Sequence, residues 1–293
     1  MTTDTEIFNR HRPRLFAIAY RMLGTRADAE DVVQDTWLRW HAADPAELQS
    51  PEAWLVTVAT RLAIDRLRAL KKERESYAGF WLPEPLVEVD EQTPETLTTL
   101  ASDVSYAFLW LLERLSSLER AAFLLRRVFD LDYDEIGSIL QRSEAACRQL
   151  VHRAARRVGE EQPRFQVDTS AQRRLLERFI HAAHSGDAAA LQALIADDAE
   201  LVGDGGGKVP SFRHILRGPQ QIADLYHALA RKYEEAAVYR LITVNGVPGL
   251  LRYFNGELES VQSCRTDGER IWGLYVVRNP DKLAIVPADL HRL

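Results

Sequence analysis

The stretch from Asp132 to Arg157, DYDEIGSILQRSEAACRQLVHRAARR, decides the fold of the middle of this chain. Asp132 followed by Glu135 is an acidic variant of the capping box and predicts the start of a helix. Ser143 predicts the N-cap of a second helix only a few residues later. Apolar residues recur in that second helix at helical spacing and predict its buried stripe: Cys147, Leu150, Val151, Ala154 and Val158. Two short helices with a tight connection are typical of a helix-turn-helix.

The other face of the second helix is basic. The stretch from Arg142 to Arg157 contains five Arg and one Glu. A helix with a buried stripe and a row of Arg, Gln and His suits the major groove of DNA. A solvated basic face on a helical hairpin is the alternative, but the complete helix-turn-helix pattern favours DNA. The predicted DNA-contacting residues are Arg142, Ser143, Arg148, Gln149, His152, Arg153 and Arg156.

Charge is distributed unevenly along the 293 residues, whose formal net charge is −6. The segment Arg61 to Arg74 has six basic and two acidic residues, whereas Trp81 to Trp110 has six acidic residues and no Lys or Arg. Two basic patches on an acidic chain indicate contact with DNA that depends on a partner. The length predicts about two domains.

Cysteine usage and hydropathy bound the compartment. The two cysteines, Cys147 and Cys264, are far apart and predict no disulfide framework. No apolar signal region and no run of transmembrane length occurs, so we expect a cytoplasmic protein without membrane association.

Three helices are predicted before the helix-turn-helix, at Phe8–Leu23, Arg26–His41 and Pro51–Arg74. The second is acidic at its start, which fits either helix-dipole stabilisation or docking of a basic partner. The third has a basic far end and lies near several tryptophans in sequence. That combination suits single-stranded DNA, although tryptophans are more often core residues.

DAEDVVQDTWLRW, followed by PEAWLVTVATRLAIDRLR, resembles region two of the extracytoplasmic-function sigma factors, and the stretch from Leu115 to Arg157 resembles their region four. The resemblance implies a promoter-recognition subunit that binds core RNA polymerase and promoter DNA. It also implies docking on the polymerase β′ coiled coil through Asp31, Gln34 and Asp35, and recognition of the −35 element by the helix from Ser143. Contact with the −10 element would involve Trp54, Arg61, Arg66, Arg68, Lys71 and Lys72. The family often has Arg-Asn where this chain has Thr60-Arg61.

The pattern changes to α+β from Ser170 onward. Helices are predicted at Ser170–Ser185, at Asp187–Ala196 and from Gly218 to about Tyr233, with a strand at Ala199–Val202. Further strands are predicted at Ala237–Val244, Leu250–Phe254, Glu257–Arg265 and Arg270–Val277, with turns at Asn245-Gly246, Asn255-Gly256 and Asp267-Gly268. Three helices and a curved antiparallel sheet resemble the SnoaL-like branch of the NTF2-like fold. We therefore expect a multidomain chain, with two all-α sigma domains followed by an α+β cone domain.

Three short motifs extend the resemblance to group forty-one of these sigma factors, which includes SigJ-type proteins. They are Trp81-Leu82-Pro83-Glu84-Pro85, Asp204-Gly205-Gly206-Gly207-Lys208 and Asn279-Pro280-Asp281-Lys282-Leu283. The resemblance implies that the C-terminal domain regulates in cis, through intramolecular contact between these motifs and the sigma regions. The expected domains are region two at 1–75, a linker at 76–105, region four at 106–162 and the SnoaL-like domain at 170–293.

The residues indicate no cofactor or metal. The Gly205–Lys208 turn lacks phosphate-loop spacing, so a glycine turn is favoured, with Lys208 pairing with acids of the sigma half as an option. His181, His184 and His214 do not form a metal pattern. His184 or Asp187 could be proposed as a catalytic residue, but no motif identifies a base, so we expect no enzyme activity. The alternatives are a helix-turn-helix regulator with a ligand-sensing domain, and a DNA-binding module fused to a small-molecule enzyme.

Overall fold

Three helices begin the chain: α1 (Asp4–Leu23), α2 (Arg26–Ala42) and α3 (Pro51–Arg74). They belong to a computed structural model that describes residues 4–43, 48, 50–88, 105–159 and 167–293. The predicted α3 bounds are confirmed, and its start is fixed by the Ser50 hydroxyl, which accepts a hydrogen bond from the Ala53 amide. Trp40 is fully buried, with its ring 5.7 Å from that of Trp54. These tryptophans therefore contribute to packing within the three-helix bundle.

The helix-turn-helix forms as predicted. It follows α4 (Tyr106–Leu112) and α5 (Ser117–Arg127), and consists of α6 (Tyr133–Leu140) and α7 (Glu144–Val158). The Asp132 amide donates to Glu135 at 2.8 Å, and the Ser143 hydroxyl accepts from the Ala146 amide. An added Cβ at Gly137 would lie 2.7 Å from the Arg142 carbonyl oxygen. The close approach of α6 to the turn that leads into α7 therefore requires glycine there.

The C-terminal domain packs three helices on one sheet. The helices are α8 (Thr169–Ser185), α9 (Ala188–Leu194) and α10 (Gly218–Tyr233). The strands are β1 (Val87–Glu88), β2 (Ile195–Asp204), β3 (Leu216–Arg217), β4 (Ala237–Val244), β5 (Val247–Phe254), β6 (Glu257–Thr266) and β7 (Ile271–Val277). A short helix, α11 (Pro280–Leu283), follows β7. Apolar side chains of the helices and sheet, including Phe179, Leu250 and Leu274, form one core.

The sheet order is β1-β4-β5-β6-β7-β2-β3, and it differs from the expected antiparallel sheet in two respects. Strand β2 pairs parallel with β7. Strand β1, which lies within the expected linker, pairs antiparallel with β4. The hairpin turns at Asn245-Gly246 and Asn255-Gly256 have left-handed backbone at both positions. Local turn signals predicted these hairpins, whereas strand partners distant in sequence carry no local signal.

The chain divides into two compact units. Within the described residues, the first contains 4–43, 48, 50–76 and 108–159, and the second contains 77–88, 105–107 and 167–293. Regions two and four therefore share a unit. Residues 77–88, the described first part of the linker, belong to the same unit as the C-terminal domain. The residues from 89 to 104, which complete the expected linker, lie outside the described residues.

Candidate nucleic-acid interface and linker-binding site

Helix α7 presents the basic surface that the sequence predicted for DNA. All five residues of the predicted stripe are buried. All seven predicted contact residues, Arg142, Ser143, Arg148, Gln149, His152, Arg153 and Arg156, are exposed to solvent. The amphipathic division therefore leaves the charged face of α7 available to a nucleic acid.

Two of these arginines already have partners in their own module. Arg148 pairs with Glu144 at 2.6 Å, and its guanidinium lies 4.4 Å from the ring centroid of Tyr133. Arg153 instead pairs with Glu119 of α5 at 3.1 Å. The pairing of Arg148 is local to the surface, whereas Arg153 connects α7 with a neighbouring helix.

Glu119 holds the C-terminal part of α7 against α5. Its side chain is only 4% exposed and accepts from Ser116, Arg153 and Arg157, with the Arg157 contact at 2.6 Å. Burial by itself would raise the pKa of Glu119, but the hydrogen bonds from Ser116 and the two guanidinium groups outweigh it, so this pKa lies below its ordinary value. The carboxylate is therefore charged at neutral pH and stabilises the module.

Helix α2 carries the predicted polymerase-binding residues on one exposed face. Asp31, Gln34 and Asp35 are all exposed, and their spacing places them on adjacent turns. Leu38 continues the same stripe and is 58% exposed, an unusual degree for a large apolar side chain. The predicted polymerase-binding residues did not include Leu38, although it lies three positions after Asp35 in the sequence. An acidic surface with an apolar residue at one end suits protein–protein contact.

The six predicted −10 residues lie along α3 but have different surroundings. Trp54 packs against Trp40, and Arg66 and Arg68 form ion pairs with Asp28 and Asp65 at 2.7 and 2.9 Å. Lys72 is exposed. Arg61 and Lys71 donate to backbone carbonyls of region four, which belongs to the same compact unit.

The three short motifs converge on one buried carboxylate, that of Asp204 at the end of β2. Its Oδ1 accepts from the Tyr77 hydroxyl at 2.6 Å and from the Gly206 amide at 2.9 Å. Its Oδ2 accepts from the Leu82 amide at 3.0 Å and from the Lys282 ammonium at 2.7 Å. The Asp204 side chain is fully buried, so these four donors replace the water that a charged carboxylate requires.

The Lys282 ammonium is enclosed by the linker segment, defined here as residues 77–88. It also donates to the Leu82 carbonyl, and it lies 4.0 Å from the ring centroid of Trp81 and 5.3 Å from that of Tyr77. Burial and the bond to Asp204 raise the pKa of the Tyr77 phenol, which therefore remains a hydrogen-bond donor at physiological pH. Cation–π contacts of this kind strengthen when the cation is desolvated.

Two glycines of the Asp204–Lys208 turn permit this convergence. Gly206 has a φ of +62°, and an added Cβ would lie 2.4 Å from the side chain of Asn279. Gly207 has a φ of +71°, and an added Cβ would lie 2.8 Å from Ala78 of the linker segment. Both the left-handed backbone and the close approach exclude larger residues.

Of the remaining motif residues, some are buried and others are exposed to solvent. Asn279 and Leu283 are buried, whereas Pro280 and Asp281 are exposed. Lys208 pairs with Asp281 at 2.6 Å, so the suggested pairing with acids of the sigma half is wrong. The turn brings Lys208 beside α11 of its own domain. Gly205 approaches the Val209 carbonyl, where a Cβ would lie 2.4 Å away.

Three residues that the sequence interpretation missed also contribute hydrogen bonds here: Tyr77, which belongs to the linker segment, and Asn245 and Tyr106, which bind that segment. Tyr77 donates to Asp204, as described, and accepts from Asn279. Asn245 is fully buried and accepts from the Leu86 amide at 3.1 Å. The Tyr106 hydroxyl donates to the Pro83 carbonyl, and its ring lies 5.9 Å from that of Tyr275. Pro83 and Pro85 are both buried. Only Asn245 had a sequence signal, as part of a predicted turn.

The cone domain also holds polar groups apart from this cluster. Arg252 is buried and pairs with Glu259 at 2.7 Å. Burial opposes ionisation of Glu259, but Arg252 and Arg278 outweigh it and hold the pKa of this carboxyl below its ordinary value. His184 contacts the Ala237 carbonyl, and Asp187 caps α9. Within the described part of the chain, no group of three or more His, Cys, Asp or Glu is placed to hold a metal ion.

Comparisons with known proteins agree with this architecture. Residues 7–73 match the family Sigma-70 region 2, and residues 107–158 match Sigma-70, region 4. The chain is 34% identical to the ECF RNA polymerase sigma factor SigJ of Mycobacterium tuberculosis, over 97% of this chain and 95% of the relative. It is 28% identical to the probable ECF RNA polymerase sigma factor SigI of the same species, over 96% and 94% of the two chains.

One solved structure resembles this protein over nearly the whole length of the chain. The crystal structure of the Mycobacterium tuberculosis extracytoplasmic function sigma factor SigJ superposes with a TM-score of 0.78 at 31% identity, covering 96% of this chain and 98% of that one. The chain belongs to the extracytoplasmic-function sigma factors, the promoter-recognition subunits of bacterial RNA polymerase. Its predicted fold class, with a SnoaL-like domain after the sigma regions, is confirmed. Over the residues described, no helix has the length and hydropathy that a membrane span needs.

Proposed function

We propose that the C-terminal domain regulates this sigma factor in cis by holding the linker between region two and region four. The observation that carries the proposal is the Asp204 cluster, in which one buried carboxylate binds both the linker segment and α11. Strand β1 adds backbone pairing with β4 at the end of that segment. A segment that served only as a tether between the two sigma regions would not need so many interactions with the C-terminal domain.

The residues that the C-terminal domain binds are adjacent in sequence to both sigma modules. Tyr77 lies three positions after Arg74, the last residue of α3, and Tyr106 is the first residue of α4. Both side chains are bound within the C-terminal unit. Since two DNA-binding modules must engage two promoter elements together, restraint of the linker restricts the separations that the modules can adopt. The domain shifts this equilibrium only if its contacts differ between competent and incompetent arrangements.

Promoter DNA is the proposed partner of two surfaces. The exposed side of α7 is assigned to the −35 element because it combines exposure with five of the chain's arginines within sixteen residues. The basic half of α3 is assigned to the −10 element, where aromatic and cationic groups suit unstacked bases. Neither assignment invokes a cofactor, and since the relatives are named as sigma factors we infer a non-catalytic protein that acts in the cytoplasm with its polymerase.

Core polymerase is the proposed partner of α2, through a coiled coil of its β′ subunit. The support is the exposed stripe of Asp31, Gln34, Asp35 and Leu38. Charge reversal at Asp35 should weaken association with core enzyme, and more at low salt than at high salt, because screening reduces long-range attraction. Reversal at Asp65, an exposed acid of α3, provides the matched control. Equal affinity of the Asp35→Lys and Asp65→Lys variants would contradict the assignment.

Run-off transcription with core polymerase tests the regulatory proposal. The proteins compared, at equal concentration, are the full chain, a chain ending at Arg278 and a chain ending at residue 169. Removal of residues 279–293 eliminates Asn279 and Lys282 and should release the linker segment, which raises promoter activity. Removal of the whole domain should lower activity below that of the shorter truncation if the domain also supports the competent arrangement. Identical transcription from all three proteins would exclude regulation by this domain.

A further inference from the structure

The basic half of α3 contacts region four through Arg61. Its Nε donates to the Ile139 carbonyl at 2.9 Å, and its Nη2 donates to the Ser138 carbonyl at 3.0 Å. Both acceptors lie in the last turn of α6, where helix carbonyls have no partner inside the helix and the dipole is negative. A guanidinium with two donors in a fixed plane suits such a helix end.

A second contact lies further along α3. The Arg74 guanidinium donates to Glu113 at 2.9 Å, and Glu113 also pairs with Arg120 at 2.7 Å. Arg120 is 1% exposed, and it reaches from α5 to the Met22 carbonyl at the end of α1, at 2.8 Å. Lys71 donates to the Leu115 carbonyl of region four. Because Arg74, Glu113 and Arg120 are largely removed from water, the loss of one partner leaves a buried charge without its counter-charge.

We propose that the basic half of α3 has two mutually exclusive partners: region four of the same chain in the free protein, and promoter DNA in the polymerase complex. Arg61 and Lys71 are among the residues predicted to contact the −10 element. The donors that would contact phosphates or bases are occupied by carbonyls of region four. Binding of DNA therefore requires region four to leave α3. This interface acts within the sigma half and is independent of the proposed role of the C-terminal domain.

The residue pair Thr60-Arg61 explains why this chain can form the contact. Thr60 is fully buried, so the small residue of the pair fits the bundle interior. Arg61 is the next residue and extends outward to α6. An Asn in place of Arg61 would have a shorter side chain and no guanidinium. The departure of this pair from the usual family motif is therefore the sequence feature that supplies the contact to α6.

The test measures the separation of the two regions in the full-length free protein. Spin labels are introduced at Ala27 in α2 and Ala145 in α7, both of which are exposed. Pulsed dipolar spectroscopy should give one narrow distance population for the parent protein. Arg61→Gln should reduce the ratio of this population to longer distances by about tenfold, since two charge-assisted hydrogen bonds are lost. Combination with Arg74→Gln should reduce it further.

Arg68→Gln is the matched control, because Arg68 lies on the same helix and pairs only one turn away with Asp65. It should leave the distance distribution unchanged. Circular dichroism of each variant establishes that the helices remain folded. Unchanged distances in both Arg61→Gln and the double variant would overturn the proposal. Because the measurement requires neither polymerase nor DNA, its failure is separate from failure of the transcription experiments.

Discussion

Lys282 and Asp204 form a buried ion pair 2.7 Å long, with the Lys282 and Asp204 side chains 6% and 0% exposed. A buried pair is costly to desolvate, and its stability depends on the hydrogen bonds that surround it. Here the surrounding donors and acceptors come from Tyr77, Leu82 and Gly206. The linker segment therefore supplies hydrogen bonds that replace water around this ion pair. Release of the segment would expose both charges to water or leave them without some of their hydrogen bonds.

Replacement of Asp204 by Asn should release the linker segment. The change leaves the Lys282 ammonium buried without its counter-charge, a situation that typically costs about 3–5 kcal/mol. Hydrogen–deuterium exchange should show faster exchange for the peptide containing Leu82, whose amide donates to Asp204. Asp281→Asn is the control, because it removes only a half-exposed pair with Lys208, which is worth about 0–1 kcal/mol. Equal protection of that peptide in the two variants would contradict the role given to Asp204.

Replacement of Gly206 by Ala should disturb the same cluster by a different route. A non-glycine residue in the left-handed region costs roughly 1–2 kcal/mol, and at Gly206 the new Cβ also collides with Asn279. Gly256→Ala is the control, since Gly256 has a φ of +80° but no atom within 4 Å of an added Cβ. The difference in unfolding midpoint between the two variants measures the contact with Asn279. A Gly206→Ala protein no less stable than the Gly256→Ala protein would show that the contact has no such importance.

The sequence predicts those features of the fold and of the candidate site whose residues lie close together in the chain. The helix-turn-helix was predicted correctly because a capping residue, a turn and a buried stripe all fall within 26 positions. Asp204 was assigned only to a glycine turn plus a motif. Its hydrogen-bond partner Leu82 lies 122 positions away, and no periodicity relates the two. The parallel pairing of β2 with β7 and the Arg61 contact with α6 are likewise long-range, so composition and spacing could not specify them.

Acid should destabilise the region-four module through Glu119. Because the pKa of this carboxyl is lower in the folded protein, its stabilising contribution is complete above the unfolded pKa of about 4.3. The contribution is lost as the pH falls through the lower, folded pKa. The difference in unfolding free energy between the parent protein and Glu119→Gln should therefore be constant from neutral pH to about 5 and shrink below about 4.3. A difference independent of pH down to the acid limit of the measurement would disprove this account. Glu144→Gln serves as an exposed control.

Arg148 and Arg153 are both predicted to contribute to −35 recognition, yet their surroundings separate the expected effects of substitution. Arg148 pairs with Glu144 and Tyr133 at the surface of its own module, so Arg148→Ala should leave the fold intact. Loss of a base contact costs about 1–3 kcal/mol and relaxes specificity at one promoter position, whereas loss of a phosphate contact weakens binding evenly and lowers the salt slope.

Arg153→Ala, by contrast, also removes a partner of the buried Glu119, so part of its effect should appear as reduced stability. Arg153→Lys keeps the charge near Glu119 and provides the matched variant, although it lacks the planar donors of Arg. The measurements are promoter binding of the polymerase complex at several salt concentrations and thermal unfolding of the free protein. We expect Arg148→Ala to lose promoter affinity at unchanged stability, and Arg153→Ala to lose both. Unchanged promoter affinity in both alanine variants would refute the assignment of Arg148 and Arg153 to the −35 interface.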